Sequence, residues 1–290
     1  MNANRLALLA LLALISSAAA PAPPESWRPV DPQNLVLMDV KYGRIALELA
    51  PPFAPRAVAR FKALIRAHFY DGKSFYRVID GFVAQGGIGE GTAATGSYSP
   101  EVEKHWPPLP AEFDAPISKG LIFTPLGNQD LYAPEAGHAN GFPVGRDPKA
   151  GRMWIIHCPG TLAFARDNGA GTATTEFYVV IGEAPRRLDR NLTAFGRVID
   201  GLQYLQKLRR GDPDIANGVI QDKAKADKIL KVQIAADLPK RPRYEVMRTD
   251  GPAFAAWKEK RKNPAPGFYV RTPPPILDIC LALPPVRRMN

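Results

Sequence analysis

A single arginine interrupts an apolar stretch in the first third of the sequence. Residues 75–79 read Phe-Tyr-Arg-Val-Ile, and an Asp-Gly turn leads into a second short stretch that ends in Gln85 and two glycines. Two short strands around such a turn would bring Arg77, Phe82 and Gln85 close together. A guanidinium is costly to bury without a partner, so Arg77 has either a structural ion pair or a function.

The chemistry open to Arg77 is the donation of hydrogen bonds from a permanent positive charge. Arginine is always charged and presents several N–H donors in a fixed fork. A side-chain amide can orient that fork or hold a carbonyl group. From the residue types alone, a catalytic role for Arg77 and a structural ion pair are equally well supported.

The same stretch resembles the signature motif of the cyclophilins, a family of peptidyl-prolyl cis-trans isomerases. The positions that agree with that motif are Phe75, Arg77, Val78, Ile79, Gly81, Phe82, Gln85, Gly86 and Gly87. Tyr76 stands where the family usually has histidine. Segments around residues 43–61, 160–181 and 188–198 also resemble the family, so the resemblance covers about residues 35–236.

The resemblance implies a reaction and a set of site residues. Rotation about a peptide bond is opposed by about 18–20 kcal/mol because it destroys amide resonance. A donor aimed at the lone pair that the twisted prolyl nitrogen regains stabilises the transition state more than the planar ground state. The implied catalytic residues are Arg77 as the donor, Gln85 as its orienter and carbonyl partner, and Phe82 as the pocket floor. The implied substrate-binding residues are Phe75, Val83, Ala165, Phe177, Tyr178, Leu188 and Leu192.

Several positions depart from the family pattern across the groove from Arg77. Arg187 stands near the place of a usual tryptophan, Leu192 replaces a usual histidine, and Tyr178 replaces a usual phenylalanine. Arg166 stands where the family has asparagine, and Glu176 where it has glutamine. We therefore expect an altered pocket, with a shifted sequence preference and weak binding of cyclosporin.

The apolar periodicity predicts many strands and two helices. Apolar residues alternate with polar ones over residues 44–49 and 229–235, which is typical of half-buried strands. Apolar residues recur at helical spacing over residues 55–68 and again over 202–208. Together with the resemblance, this predicts a mainly β fold: a closed eight-stranded antiparallel barrel like that of the cyclophilins, capped by two α-helices.

Composition divides the chain into four expected segments. They are a signal peptide at 1–20, a linker at 21–34, the barrel domain at 35–236 and a proline-rich basic extension at 237–290. Within the barrel domain, residues 88–151 are rich in Gly, Pro, Asn and Asp, and only residues 111–113 and 121–123 resemble strands. Irregular loops of that length are uncommon in compact domains, which favours a functional insertion or a lid.

The N-terminus predicts export. Arg5 precedes an apolar run over residues 6–15, and small residues follow up to Ala20. This is the pattern of a Sec-type signal peptide cleaved near Ala19 or Ala20, and an uncleaved anchor is the alternative. The expected location is the periplasm or another exported compartment, with no stable membrane insertion after cleavage.

The two cysteines, Cys158 and Cys280, leave two possibilities open. In an oxidising compartment they could form a disulfide that joins the extension to the barrel domain. Alternatively they remain two thiols, because a sequence does not report the Cα separation that a disulfide needs. Neither cysteine nor any of the four histidines shows metal-ligand spacing, so no metal and no cofactor is expected.

The formal net charge of +10 is concentrated in the extension. Residues 239–290 hold eleven Lys and Arg against four Asp and Glu. Solubility is the simplest explanation of that excess. The expected partners are proline-containing polypeptides, without nucleic acid, and the protein is expected to be a monomer.

Two functions from different classes fit the sequence. The first is an active prolyl isomerase that assists the folding of exported proteins, favoured because Arg77, Phe82 and Gln85 are all present. The second is a non-catalytic binding module that holds a protein partner in its groove, insertion or extension. A hydrolase has little support, since no Gly-x-Ser-x-Gly motif is present.

Overall fold

The computed structural model describes residues 24–89, 99–183, 185–265 and 267–289. Its strands are β1 (Trp27–Pro29), β2 (Leu35–Val40), β3 (Gly43–Leu49), β4 (Ser74–Val78), β5 (Val83–Gly87), β6 (Ala115–Pro116), β7 (Phe123–Pro125), β8 (Glu135–Ala139), β9 (Phe142–Asp147), β10 (Arg152–Ile155), β11 (Thr161–Phe164), β12 (Phe177–Val180), β13 (Ala194–Asp200), β14 (Ile229–Ile234), β15 (Arg243–Met247) and β16 (Val286–Met289). Its α-helices are α1 (Pro55–Arg66), α2 (Pro100–His105), α3 (Leu202–Leu205) and α4 (Pro252–Lys262). The expected signal peptide lies outside the described residues. Within them, no helix combines the length and the apolar character needed to span a bilayer.

Eight strands form one antiparallel sheet in the order β14, β2, β3, β13, β11, β12, β5, β4. Its two edge strands approach each other, because Ser74 pairs with Lys228 just before β14. Beside that bridge, the N–H of Phe75 donates to the carbonyl of Asp227 at 2.9 Å. These contacts nearly close the sheet into a barrel, which protects strand edges that would otherwise be open. The mainly β fold and its eight-stranded antiparallel barrel, predicted from the sequence, are confirmed.

Helix α1 covers one end of the barrel with its apolar face. Pro55 occupies the first turn, where the missing N–H costs nothing. The fully buried ring of Phe61 packs against the rings of Tyr70, Phe177 and Phe195, with centroids 5.3, 5.6 and 5.1 Å away. Burial of such a side chain contributes about 1.5–3 kcal/mol, so this ring cluster anchors the helix to the barrel interior.

The second capping helix is shorter than the sequence predicts. Helix α3 has only 4 residues and follows Gly201, whose φ of +87° is left-handed. A Cβ at Gly201 would lie 2.5 Å from the carbonyl oxygen of Arg44, so glycine is required there. After α3 the chain continues in turns, and Leu208 still reaches the core with 2% exposure. The leucine spacing thus identified buried residues but overestimated the length of the helix.

The segment expected to be irregular, residues 88–151, contains four of the five strands of a second sheet, whose strand order is β6, β10, β9, β8, β7. The prediction of a long structureless loop is therefore wrong for this part of the chain. Glycines inside the strands concealed them: a Cβ at Gly145 of β9 would lie 2.6 Å from the ring of Trp154 on β10. Glycine that is needed for close packing within a strand has the same sequence appearance as glycine in a loop.

Residues 111–113, predicted as a strand piece, are irregular and support α1 instead. The carboxylate of Glu112 accepts hydrogen bonds from the N–H groups of Arg56 and Ala57, at 3.0 and 2.9 Å. These N–H groups belong to the first turn of the helix, where no intrahelical acceptor is available. Glu112 therefore caps α1 from a distant part of the chain.

The second sheet packs against the outside of the barrel wall. One apolar cluster combines Phe142, Val144, Met153 and Ile155 of this sheet with Val83, Ala163, Ala165, Tyr178 and Val180 of the barrel. Members of a close-packed cluster restrict one another's rotamers. The inserted sheet consequently supports the outer face of the wall formed by β5, β11 and β12, on which Val83, Ala165 and Tyr178 lie.

The predicted linker and the C-terminal extension meet in a third sheet, with strand order β1, β15, β16. Trp27 pairs with Met247, and Tyr244 with Arg288. The interpretation of residues 21–34 as a linker is wrong for β1, because its pairing partner lies more than 200 residues further along the chain and cannot be read locally. The other proposed domain boundaries stay predictions.

Cys158 and Cys280 form a disulfide, with their Cα atoms 5.0 Å apart. The bond joins the barrel domain to the C-terminal extension across a sequence separation of 122 residues. Around it lies an apolar cluster that includes Trp154 and Ile156 from one side and Leu277 and Ile279 from the other. Of the two possibilities that the sequence left open, the structure has the bonded pair.

Candidate active site

The β4–β5 hairpin carries the predicted catalytic pair, with Arg77 directly opposite Gln85. The pairing register shifts between Ser74 and Arg77, which indicates a β-bulge. Because of the bulge, both Tyr76 and Arg77 lie outside the barrel core, whereas Phe75 is inside it and fully buried. In a regular strand Phe75 and Arg77 would share a face. The bulge thus aims the arginine at the outer wall of the barrel.

The guanidinium of Arg77 is fixed by two hydrogen bonds. Its Nε donates to the carbonyl of Asn217 at 2.7 Å, and its Nη1 donates to Oε1 of Gln85 at 3.1 Å. Burial lowers the pKa of Arg77, yet an arginine titrates so far above neutral pH that the group stays charged. The result is a charged, oriented and partly desolvated donor, whose electrostatic interactions are stronger than in bulk water.

Beside this donor lies a cavity of about 170 Å³. Its lining residues are Arg77, Phe82, Val83, Gln85, Ala165, Arg166, Tyr178, Leu188 and Leu192. The structure therefore brings together eight of the ten predicted site residues, from β4, the turn before β5, β5, β12 and the segments after β11 and before β13. An apolar cavity with a few convergent polar groups is the usual form of a small-ligand site.

The two remaining predicted residues, Phe75 and Phe177, do not line this cavity. Both are fully buried in the barrel core, where their ring centroids are 5.8 Å apart. Phe177 precedes Tyr178 on β12, and successive side chains of a strand point to opposite faces, so only Tyr178 reaches the cavity. The interpretation of Phe75 and Phe177 as substrate-binding residues is therefore corrected: they are core residues.

A polar network that the sequence did not reveal holds Tyr178 in place. The buried His157 contacts the Tyr178 hydroxyl through Nε2 at 2.9 Å and the Asp189 carboxylate through Nδ1 at 3.0 Å. Arg186 in turn donates to Asp189 at 2.7 Å and to Asp130 at 2.9 Å. A carboxylate only accepts, so His157 donates from Nδ1 and, when neutral, accepts the Tyr178 proton at Nε2. The network directs the hydroxyl away from the cavity and presents the ring.

Arg166 lines the cavity, although the sequence singled it out only as a departure from the family pattern. Its guanidinium donates to the carbonyls of Asn191, Asp167 and Asn168, at 2.9, 2.7 and 3.1 Å. These bonds direct its charge towards the backbone of two loops. An isolated arginine at the end of a strand gives no sequence signal of such a role.

The described residues contain no group of three or more His, Cys, Asp or Glu side chains arranged to hold a metal ion. Arg187, near the place of the family's usual tryptophan, is exposed and does not line the cavity. What the site offers chemically is thus an apolar hollow with one oriented cation and one amide at its edge. That arrangement can bind a small apolar ring and donate a hydrogen bond to an atom attached to it.

The barrel, the hairpin and this cavity define the class of protein. The sequence model of the family "Cyclophilin type peptidyl-prolyl cis-trans isomerase/CLD" matches residues 35–234. The chain therefore belongs to the cyclophilin family, and it is a peptidyl-prolyl cis-trans isomerase of that type.

Individual members of the family are similar over most of the chain. A probable peptidyl-prolyl cis-trans isomerase of Brucella suis is 29% identical over 211 residues, which cover 71% of this chain and 85% of the relative. The peptidyl-prolyl cis-trans isomerase of Helicobacter pylori is 30% identical over 172 residues, or 59% of this chain and 77% of the relative. The crystal structure of the cyclophilin AquaCyp293 from Hirschia baltica has a TM-score of 0.70 at 30% identity, covering 91% of this chain and 94% of that one. This last similarity extends beyond residues 35–234.

Proposed function

We propose that the protein catalyses prolyl isomerisation in exported polypeptides, with Arg77 as the donor to the prolyl nitrogen. One observation supports this most directly: the guanidinium of Arg77, held at 3.1 Å by Gln85, lies at the edge of an apolar cavity. Within the described part of the chain, two hydrogen bonds engage two of the five N–H groups of the guanidinium. Further donors are thus available to a bound peptide.

The proposed mechanism needs no proton transfer and no covalent step. Phe82, Tyr178 and Leu192 hold the proline ring, and the ring fixes one side of the Xaa-Pro bond. As the bond twists, the prolyl nitrogen loses conjugation and becomes a better acceptor. Arg77 then donates to it, an interaction that is weak in the planar state and strong in the twisted one. Gln85 keeps the guanidinium in the required orientation.

The alternative of a non-catalytic binding module is less well supported. Such a module would need the cavity but not a fixed charged donor, and the cost of partly burying a guanidinium would then bring no benefit. The joint presence of Arg77, Gln85 and the apolar lining favours catalysis.

A peptide assay tests the catalytic part of the proposal. Short peptides of the type Ala-Xaa-Pro-Phe are cleaved by a coupled protease only in the trans form, so the slow phase reports isomerisation. We expect the protein to accelerate that phase in proportion to its concentration. Uncatalysed isomerisation takes about tens to hundreds of seconds. A slow phase that keeps this uncatalysed time constant at all protein concentrations would contradict catalysis.

The exported location rests on two features. The first 20 residues have the composition of a signal peptide. The bond between Cys158 and Cys280 is of a kind that persists in oxidising compartments such as the bacterial periplasm. In that compartment the clients would be newly exported chains that contain proline.

A reporter fusion tests this location. Residues 1–34, joined to an alkaline phosphatase that lacks its own signal, are expected to give phosphatase activity in bacterial cells, because that enzyme becomes active only after export. The matched control carries Leu11→Arg and Leu12→Arg, which interrupt the apolar run and should abolish the activity. Equal activity from both fusions, or none from either, would contradict export by this segment.

A further inference from the structure

A second cavity lies beside the first cavity, the one at Arg77, on the other side of the loop at residues 188–192. Leu188 and Leu192, at the two ends of this loop, line the first cavity. The second cavity has a volume of about 550 Å³, and its lining includes Phe113 and Asp114 of the inserted segment, Arg152 of β10, and Asp189, Arg190 and Asn191 of the loop. One loop thus contributes side chains to two neighbouring cavities.

Two arginines of the second cavity share one carboxylate. Arg190 donates from Nε to Oδ2 of Asp114 at 3.1 Å. Arg152 donates from Nε to Oδ1 of the same carboxylate at 2.7 Å, and from Nη2 to the Asp114 carbonyl at 3.0 Å. The other carboxylate of the lining, Asp189, is bound by Arg186 at 2.7 Å. Two arginines against one carboxylate therefore leave one positive charge in excess in this cavity.

Both arginines retain donors for a ligand. Their side chains are 36% and 45% exposed, for Arg152 and Arg190 respectively. Within the described residues, Arg190 uses one of its five N–H groups in hydrogen bonds, and Arg152 uses three, including a second bond to Oδ1 of Asp114. The N–H groups that remain are on Nη atoms, which bind a carboxylate in the strongest, charge-assisted geometry.

The backbone at Arg190 is held in an unfavourable conformation. Its φ is +59°, in the left-handed region. Glycine adopts this conformation at no steric cost, whereas a residue with a Cβ loses stability there. The chain thus places a long charged side chain at a position that would fold more easily with glycine. Such strain in a loop beside a cavity is typical of functional sites.

Hydrogen bonds on both sides of Arg190 fix the loop relative to the first cavity. The Asn191 side chain donates to the carbonyls of Arg187 and Asp189, both at 3.1 Å. The Asn191 carbonyl accepts at 2.9 Å from Arg166, which lines the first cavity. A ligand that occupies both cavities would meet a preorganised surface, so little of its binding free energy is lost in ordering the loop.

The two cavities are close enough for one short peptide. Arg190 and Leu192 are two residues apart, so their Cα atoms lie within about 7.6 Å of each other. An extended peptide advances about 3.3–3.4 Å per residue. A residue two or three positions from a proline in the first cavity therefore reaches the second one.

We propose that Arg152 and Arg190 are specificity-determining residues that bind the carboxylate of an Asp or Glu two or three positions from the isomerised proline. The inference rests on the proposed isomerase function and adds a substrate class to it: polypeptides with an acidic residue close to the proline. Arg152 belongs to the inserted sheet, which thereby takes part in substrate recognition.

The test compares peptides that contain one proline and one Glu, placed two or three positions before or after the proline, with the same peptides carrying Gln. Acetyl and amide end groups leave the Glu side chain as the peptide's single carboxylate. NMR exchange between the cis and trans signals gives kcat and KM. For one of the four placements we expect kcat/KM to be about three- to tenfold higher with Glu than with Gln. The difference should lie in KM, because a contact away from the twisting bond stabilises the ground and transition states equally.

Two substitutions remove the charges with little disturbance of the fold. In Arg190→Gly the new residue suits the left-handed φ, and in Arg152→Gln the new amide can still donate to Asp114. Each is expected to lower the Glu-to-Gln ratio of kcat/KM at least about twofold, and the double variant to bring it to about 1. All three should keep the wild-type kcat for the Gln peptide.

Arg66→Ala is the matched control. Arg66 is similarly exposed, at 52%, and also pairs with one aspartate, Asp237. It lies at the end of α1 and lines neither cavity. The variant therefore loses an arginine of the same kind, and it should retain the wild-type ratio for the Glu and Gln peptides.

Ionic strength provides a readout that needs no variant. Salt screens attraction between partly exposed charges, with a Debye length of about 30 Å at 0.01 M and about 3 Å at 1 M. The wild-type ratio should therefore fall towards 1 as sodium chloride is raised over that range, while the Gln peptide is little affected. A preference for Glu that does not respond to salt would contradict an arginine–carboxylate contact.

The outcomes separate this inference from the proposed function. A wild type inactive on every peptide, or full activity in Arg77→Ala, would remove the proposed function itself. An active wild type with equal kcat/KM for the Glu and Gln peptides at all four placements would overturn the inference alone. A preference for Glu that persists in the folded double variant would do the same, because the arginines would then serve only the ion pairs with Asp114. If that variant does not fold, the salt dependence of the wild type decides.

Discussion

Replacing Arg77 by alanine is expected to lower kcat/KM for an Xaa-Pro peptide by about 100-fold or more. Removal of one oriented donor to a developing charge typically costs 100- to 1000-fold, or about 2.7–4 kcal/mol. The donor here is charged, partly buried and held by Asn217 and Gln85, at 2.7 and 3.1 Å, so little of its effect should be recovered by water. The coupled peptide assay measures the change.

Two further variants define what Arg77 contributes. Arg77→Lys keeps the charge but loses the planar fork that contacts both Asn217 and Gln85, and we expect it to remain at least about tenfold below the wild type. Arg44→Ala removes an exposed arginine that pairs with Asp39 on the barrel surface, and it should behave as the wild type. Activity in Arg77→Ala close to that of Arg44→Ala would exclude the donor role.

Removing the disulfide is expected to have the largest effect on stability. The two cysteines are 122 residues apart in the sequence. In the chain-entropy description, a cross-link that closes a loop of this size lowers the entropy of the unfolded chain and raises the free energy of unfolding by about 4–5 kcal/mol. The double variant Cys158→Ser, Cys280→Ser should therefore unfold at a markedly lower urea concentration than the wild type. The extension around Leu277 and Ile279 should be released first, since the bond connects it to the barrel domain.

A reducing agent supplies the control for this experiment. Reduction of the wild type is expected to reproduce the lower unfolding midpoint of the double variant, while the double variant itself should not respond. Equal midpoints for the oxidised wild type and the double variant would show that the bond does not stabilise the fold.

The sequence was sufficient to predict the β4–β5 hairpin because its motif is local. Arg77, Phe82 and Gln85 lie within nine positions, and one turn brings them together. The sequence was not sufficient to predict on which face of a strand each side chain lies. Phe75 and Phe177 were assigned to the site, but a bulge in β4 and the alternation along β12 place them in the core. A register shift depends on pairing with another strand and leaves no mark in a single sequence.

The inserted sheet and the terminal sheet were missed for two different reasons. In the inserted sheet, glycines such as Gly145 give space to neighbouring rings, and they made strands resemble loops. In the terminal sheet, β1 gains its partner from the opposite end of the chain. Contacts over such distances are decided by the assembled tertiary structure, which overrides local propensity.

The relation between Tyr76 and Glu176 shows the same limit within the site. The sequence identified each as a separate departure from the cyclophilin pattern. Only the pairing of β12 with β5 brings their surroundings together: the Glu176 carboxylate accepts from the N–H of Gly89 just after β5, and the Tyr76 hydroxyl accepts from Gln85 on β5. Sequence comparison can therefore show that a position has changed, while the fold shows which changes belong together.

The central claim, that Arg77 acts on the twisted bond rather than on binding, has one direct test. NMR exchange spectroscopy can measure both the affinity of a proline peptide and the rate at which the bound peptide interconverts between cis and trans. For Arg77→Ala we predict an affinity within about threefold of the wild type and an interconversion rate on the protein at least about 100-fold lower. Interconversion at the wild-type rate on the variant, with the loss confined to affinity, would contradict the account.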